Sequence, residues 1–294
     1  MTIRPRPHRA PLGPARRSGR RPTRIRRASG GLSRVRAGAG LAVLAVAAVT
    51  YGLSASPAFG MDAIELGDTR FTAPDLIRRT IATPLGTNLF TLQTEPLEAA
   101  LQELPAVLAA DVAVVLPDRL VVQVDEREPI LVWQAGERRL LVDVEGLIFG
   151  DAARGVPASA LAGLPVVTDS RAAAANLGVR GRLDPIDLDA ARRLASVNPI
   201  DIGSSAGSIR LTVSDQNGFV LRTAGQGWIA IFGFYTPTLR TTEMIPEQVR
   251  TLRSLLFGRE ADIERVILSG AREGTYIPRP TPRPTATLRP TRRP

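Results

Sequence analysis

Two pairs of carboxylates, Asp125/Glu126 and Asp143/Glu145, come nearest in type and spacing to a catalytic device. A glycosidase needs two such acids about 5 Å or more apart across a sugar cleft. Both pairs fall where the sequence predicts strand ends or turns, so structural roles are expected for them. Other devices lack parts. His8, the single His, sits among Arg and Pro, and the chain has no Cys and no Lys, so all 38 basic residues are Arg. Ser-His-Asp and Ser-Lys nucleophiles therefore have no base. Thiolate metal sites and disulfides have no ligands. No Walker or dinucleotide glycine pattern occurs, and Gly225-Gln226-Gly227 is a turn before Trp228. No catalytic, cofactor or metal residue is expected, and the protein is not expected to be an enzyme.

The charge is unevenly spread. Residues 1–36 hold 12 Arg and no acid, and residues 279–294 hold 5 Arg and no acid. The stretch between carries 21 Arg against all 28 acids. An acidic folded body thus lies between two basic tails, and both tails are expected to be disordered. The N-terminal Arg residues suit anionic lipid headgroups. No motif points to specific nucleic-acid binding.

Between Arg36 and Asp62 lie 25 residues without charge. A bilayer core takes about 20 apolar helical residues. All the flanking positive charge precedes this span, so residues 37–60 are expected to form a transmembrane helix with the N-terminus in the cytosol. A cleaved signal peptide, with Ala58-Phe59-Gly60 as the small-residue site, is the rival reading; the 36-residue leader favours an uncleaved anchor.

The rest is expected to be α+β. Ala63–Leu66 is a strand. Thr72, with Asp75 three residues on and Pro74 between, is expected to cap a helix running to Ala82, with Leu76, Ile77 and Ile81 inward. A second helix from Glu95 carries Leu97, Ala100, Leu101 and Leu104. Strands Val107–Leu116 and Leu120–Glu126 flank Pro117-Asp118-Arg119. The order β-α-α-β-β fills residues 61–128, with Leu76, Ile77, Leu97, Leu101, Val112, Val114 and Val122 as one core. Residues 129–278 are expected to form a mixed, β-rich domain. It has strands at Ile130–Gln134, Leu140–Asp143 and Leu147–Phe149, then a helix over Leu188–Val197 capped by Asp187. A hairpin follows about Asn217-Gly218, then a strand Trp228–Phe232, a helix Pro246–Leu256, a strand Ile263–Leu268 and a last short strand at Tyr276-Ile277. Gly67 and Gly146 are expected at positive φ, and Trp133 and Trp228 in the core.

Several motifs then line up in order: Gly86-Thr87-Asn88-Leu89-Phe90, Leu104-Pro105-Ala106-Val107, Pro117-Asp118-Arg119-Leu120, Glu126-Arg127-Glu128-Pro129, and Val142-Asp143-Val144-Glu145-Gly146-Leu147-Ile148-Phe149. In this spacing, behind an N-in anchor, the chain resembles the FtsQ/DivIB family of bacterial division proteins. The resemblance implies a POTRA domain, a following β domain, and a non-enzymatic scaffold role at the division septum. It also implies FtsB-like and FtsL-like membrane proteins as partners. It departs at Ile267-Leu268-Ser269-Gly270, where the family often carries an Asp-x-Arg element. The alternative is a membrane-anchored protein that binds cell-wall polymer. Because Tyr276-Ile277 lies just before a Pro-rich tail, it is expected to close the sheet as an edge. Residues Ile263, Val266, Leu268, Tyr276 and Ile277 are therefore the expected partner-binding set, with Tyr276 as the aromatic anchor.

Overall fold

The computed structural model describes residues 34–153, 156–225 and 227–280. The disorder expected of residues 1–36 and 279–294 falls outside these except at two places: Arg34–Arg36 open a helix, and Arg279 is hydrogen-bonded to Asp262. The chain divides into two compact units at Gly52/Leu53.

The described residues of the first unit belong to a helix, α1 (Arg34–Ala55), rich in Ala, Val and Leu. Its span Val35–Ala55 is the one described helix long and apolar enough to cross a membrane. At about 1.5 Å per residue, 21 residues cover about 32 Å, close to a bilayer core. The one Thr in its apolar run hides its hydroxyl within the helix, Thr50 Oγ1 donating to the Val46 carbonyl at 2.9 Å.

The second unit opens on a three-stranded sheet of β1 (Ala63–Leu66), β2 (Val107–Val115) and β3 (Arg119–Glu126), in the order β1-β3-β2. β1 runs parallel to β3, and β2 antiparallel. Two helices, α2 (Pro74–Ile81) and α3 (Glu95–Gln102), join β1 to β2. Ile77, Ile81 and Leu101 from the helices meet Val112, Leu120 and Val122 from the sheet, with Met61 and Leu89 closing the cluster. This is the expected β-α-α-β-β core, with one correction: Leu76 points out and is 40% exposed. Thr72 is not the cap of α2 either. Ala73 takes that position without a side-chain bond. The backbone N–H of Thr72 donates instead to Glu126 at the end of β3, 2.6 Å away. Gly67 lacks the positive φ expected of it, whereas Gly146 has φ 81°.

A nine-stranded mixed sheet follows. Its strands are β4 (Leu131–Ala135), β5 (Arg138–Val142), β6 (Ile148–Asp151), β7 (Val166–Asp169), β8 (Ile209–Ser214), β9 (Gly218–Thr223), β10 (Ile229–Gly233), β11 (Ile263–Leu268) and β12 (Gly274–Pro278). They lie in the order β12-β11-β10-β9-β8-β7-β4-β5-β6. β4, β7 and β8 are parallel neighbours, as are β10 and β11. The helices α4 (Pro185–Ala195) and α5 (Ile245–Leu256) pack onto this sheet. Ala190, Ala191, Leu194, Leu252 and Leu256 join Trp133, Val213, Phe219, Phe232 and Val266 in one core. A second cluster of Val132, Leu141 and Phe149 receives Ala106 and Phe71 from the preceding part, Phe71 and Phe149 meeting edge to face at 5.5 Å. The two sheets are thus joined by packing as well as by chain.

β7 lies in a stretch where no strand is expected from sequence. Asp184, not Asp187, caps α4: its carboxylate accepts from the Ile186 N–H at 2.8 Å. In the β8–β9 turn only Gly218 of the Asn-Gly pair has positive φ, 62°. A Cβ there would lie 2.3 Å from the Gly233 carbonyl, so the position is closed to side chains on two counts.

Candidate interaction surface

The carboxylates that come nearest to chemistry are built into turns. Asp143, 4% exposed, accepts from the Glu145 and Leu147 N–H groups through Oδ1, each at 2.9 Å. Its Oδ2 takes Arg127 Nη1 at 2.8 Å. Glu126 accepts from three successive backbone N–H groups, of Arg70, Phe71 and Thr72, at 2.6–3.1 Å. Three N–H groups left without partners by the approach to α2 are satisfied this way, by a residue 54–56 positions downstream. Their sequence neighbours Asp125 and Glu145 face solvent. Each pair is therefore split between a structural member, buried for Asp143 and half-buried for Glu126, and an exposed one, which is not the geometry of two acids sharing a substrate bond.

Two further polar knots brace the nine-stranded sheet, one toward α4 and one among the loops beside β10. Asp169, 3% exposed at the end of β7, accepts from Trp133 Nε1 at 3.1 Å and from Arg171 Nη2 at 2.8 Å. Arg171 also reaches Asp187 at 2.7 Å. Burial opposes the Arg171 charge, but the bonds and charges of Asp169 and Asp187 outweigh it and hold its pKa above the ordinary value. For Asp187 burial prevails and raises its pKa despite Arg171. Glu260 accepts from Trp228 Nε1 at 2.9 Å, from the Ser205 N–H at 2.8 Å and from the Ser204 hydroxyl. Burial works against its charge, yet these donors prevail and its carboxyl sits below the usual range. Sequence reasoning passed over Asp169, Arg171 and Glu260. The signal available was a buried Trp whose N–H needs an acceptor.

Open strand edges are where a second chain can attach. At β6 the edge is covered, the Ile148 N–H donating to Gly181 and the Ile148 carbonyl accepting from the Arg180 N–H, at 2.9 and 2.7 Å. On β2 the Val112 N–H is taken by the Glu98 carboxylate at 3.1 Å, which blunts that edge from within. β12 is the other terminal strand of the nine-stranded sheet, paired with β11 alone, and all five of its residues are exposed. Its position is fixed by the turn before it, where the Ser269 and Gly270 N–H groups donate to the Glu273 carbonyl, and by Arg240, which bridges the carbonyls ending β10 and β11. Of the five residues expected at a partner site, Tyr276 and Ile277 stand on this strand, 38% and 40% exposed. Ile263, Val266 and Leu268 point into the core and are at most 1% exposed. A partner strand laid beside β12 would meet its backbone, Tyr276 and Ile277; the other three position β11 beneath.

Comparison with known proteins adds a family to this geometry. Residues 59–127 match the "POTRA domain, FtsQ-type" family. The match opens at Phe59, whose carbonyl accepts from the Leu89 N–H, and closes at Arg127, whose N–H donates to Ala106. A Chloroflexus aggregans protein named Cell division protein FtsQ is 33% identical over 164 residues, covering 55% of this chain and 56% of that one. Relatives of the same name from Streptomyces venezuelae and Koribacter versatilis are 32% identical over 119 residues and 34% identical over 87. These cover 39% and 30% of this chain, and 44% and 25% of theirs. The chain spans about half the length, or less, of the relatives it matches. With the β-α-α-β-β sheet, the single apolar helix before it and these alignments together, the chain is a relative of the FtsQ cell-division proteins that carries an FtsQ-type POTRA domain at residues 59–127.

Proposed function

We propose that this protein is a non-enzymatic scaffold of the division septum. It is held in the cytoplasmic membrane by α1, with its N-terminus in the cytosol and the sheets outside, and it links FtsB-like and FtsL-like membrane proteins. The observation that carries the reading is an FtsQ-type POTRA domain set directly behind one apolar helix. The 12 Arg of residues 1–36, ten before that helix and two in its first turn, and the acidic body after it support the N-in orientation. We further propose that the POTRA part ends at Glu128 and that residues 129–278 act as a second, partner-binding domain.

Support for that second role comes from β12. An added strand gains affinity from main-chain hydrogen bonds and specificity from alternate side chains. Tyr276 supplies the large amphipathic contact typical of an interface hot spot. The variant Tyr276→Pro removes both the anchor and an N–H of the open edge, because the Arg279 N–H, and with it by strand alternation that of Ile277, points at β11. The expected outcome is that the full chain stays folded and in the membrane but no longer co-purifies an FtsB-like protein. Undiminished recovery would place the docking site elsewhere, with the POTRA domain the next surface to test.

A further inference from the structure

A groove of about 690 Å³ runs where the POTRA sheet meets the nine-stranded sheet. Its floor is apolar, made by Phe71, Val124 and Ile130, with Leu108 and Val144 on the rim, each 59% exposed. Acids surround it. Glu126 and Asp143 are committed to the turn N–H groups and to Arg127, as described. Asp68, Asp125, Glu128 and Glu145 also line it, and none of these four forms a salt bridge among the described residues. Arg70 is the one further basic residue lining the groove. An apolar trough with four uncompensated carboxylates calls for an extended segment that alternates apolar and cationic groups.

The chain contains such a segment. Residues 281–294, Thr-Pro-Arg-Pro-Thr-Ala-Thr-Leu-Arg-Pro-Thr-Arg-Arg-Pro, carry four Arg, four Pro and no acid. They lie outside the described residues, but their point of departure is fixed. The Arg279 N–H donates to the Asp262 carbonyl at 2.7 Å, and its guanidinium donates to the Ile263 carbonyl at 3.2 Å. Topology then sets the direction. β12 runs antiparallel to β11, and β11, β10, β8, β7 and β4 share one direction. β12 therefore ends at the edge of the sheet where β4 begins, which is where the groove lies. Six strand steps separate β12 from β4. At about 4.8 Å each that is about 29 Å. Fourteen residues in the polyproline II form reach about 43 Å.

We propose that the Arg/Pro segment 281–294 docks in cis into this groove, its Pro rings on the Phe71–Val124–Ile130 floor and Arg289, Arg292 and Arg293 against Asp125, Glu128 and Glu145. Pro-rich segments bind apolar grooves that offer an aromatic face, here Phe71, because their preformed polyproline II helix loses little entropy on binding.

The absence of Cys from the chain makes the test direct. In the full protein in detergent, Thr291→Cys is combined with Val144→Cys at the groove or with Leu239→Cys, which is 91% exposed and follows β10 at the opposite end of the sheet. Mild oxidation should cross-link the groove pair within one molecule, about tenfold more than the control pair, as expected for a local concentration set by docking. The preference should vanish in Asp125→Asn/Glu128→Gln/Glu145→Gln. About 1 M salt, where the screening length is about 3 Å, should abolish it without any substitution. Equal yields from the two pairs, cross-links mainly between molecules, or a preference that survives both the charge variant and salt would each overturn the proposal.

Discussion

Asp143 is the residue on which the junction between the sheets is most exposed to a single change. Its carboxylate holds the β5–β6 turn through two N–H groups and holds Arg127, the residue after β3, through a third bond. Asp143→Ala leaves a guanidinium that is 20% exposed without its partner and two turn N–H groups without theirs. Breaking a buried ion pair from one side costs about 3–5 kcal/mol. Arg127 keeps some water, which lowers that figure, and the orphaned N–H groups, at about 1–3 kcal/mol each, restore it. The expected loss is about 3–5 kcal/mol. For a unit of this size it should lower the melting temperature by about 6–20 °C. Asp143→Asn keeps an acceptor for the turn and loses only the charge, so it should fall between Ala and the parent. Tryptophan fluorescence follows the transition, because Trp133 and Trp228 are both buried in the nine-stranded sheet. An Asp143→Ala protein melting within about 2 °C of the parent would refute the reasoning, and so would Asn proving as damaging as Ala.

Leu101→Ala, at a fully buried position of α3, should cost about 2–5 kcal/mol, while Leu76→Ala on the exposed face of α2 should change stability by less than about 0.5 kcal/mol; urea unfolding compares the two directly. Gly218→Ala should destabilise by about 2 kcal/mol or more, since it adds both a left-handed backbone cost and a clash with Gly233, and a lowered urea midpoint would report it. The Glu260 carboxyl is depressed in the folded protein, so its stabilising share is present at neutral pH and is lost as pH falls below its ordinary value of 4.5. Glu260→Gln should therefore melt below the parent at pH 7 and converge with it toward pH 3; a gap that persists at low pH would mean that the Glu260 charge is not what holds Trp228.

The sequence made the POTRA core legible because its signals are local and periodic. β1 and β11 lie where the residues placed them, and the second of the two helices between β1 and β2 starts at the expected Glu95. What local signals missed was decided at a distance. Thr72 fits a capping box, but Glu126 outcompetes it by bringing a carboxylate to three N–H groups at once. Asp187 fits a cap until Pro185 is noticed at the first helical position, which puts Asp184 in that role and frees Asp187 for Arg171. β7 has four residues and two parallel partners distant in sequence, so nothing nearby announces it. At the candidate edge the location of β12 was legible, but the inward face of β11 was not. Which side of that strand is core depends on where α5 packs.

The central claim, a scaffold of the division septum, is most directly tested by replacing the native copy with a fluorescent fusion of the full chain and following it through the cell cycle. A band at mid-cell before constriction, with filamentous undivided cells when the protein is depleted, is the predicted result. Uniform membrane fluorescence together with normal division after depletion would contradict it.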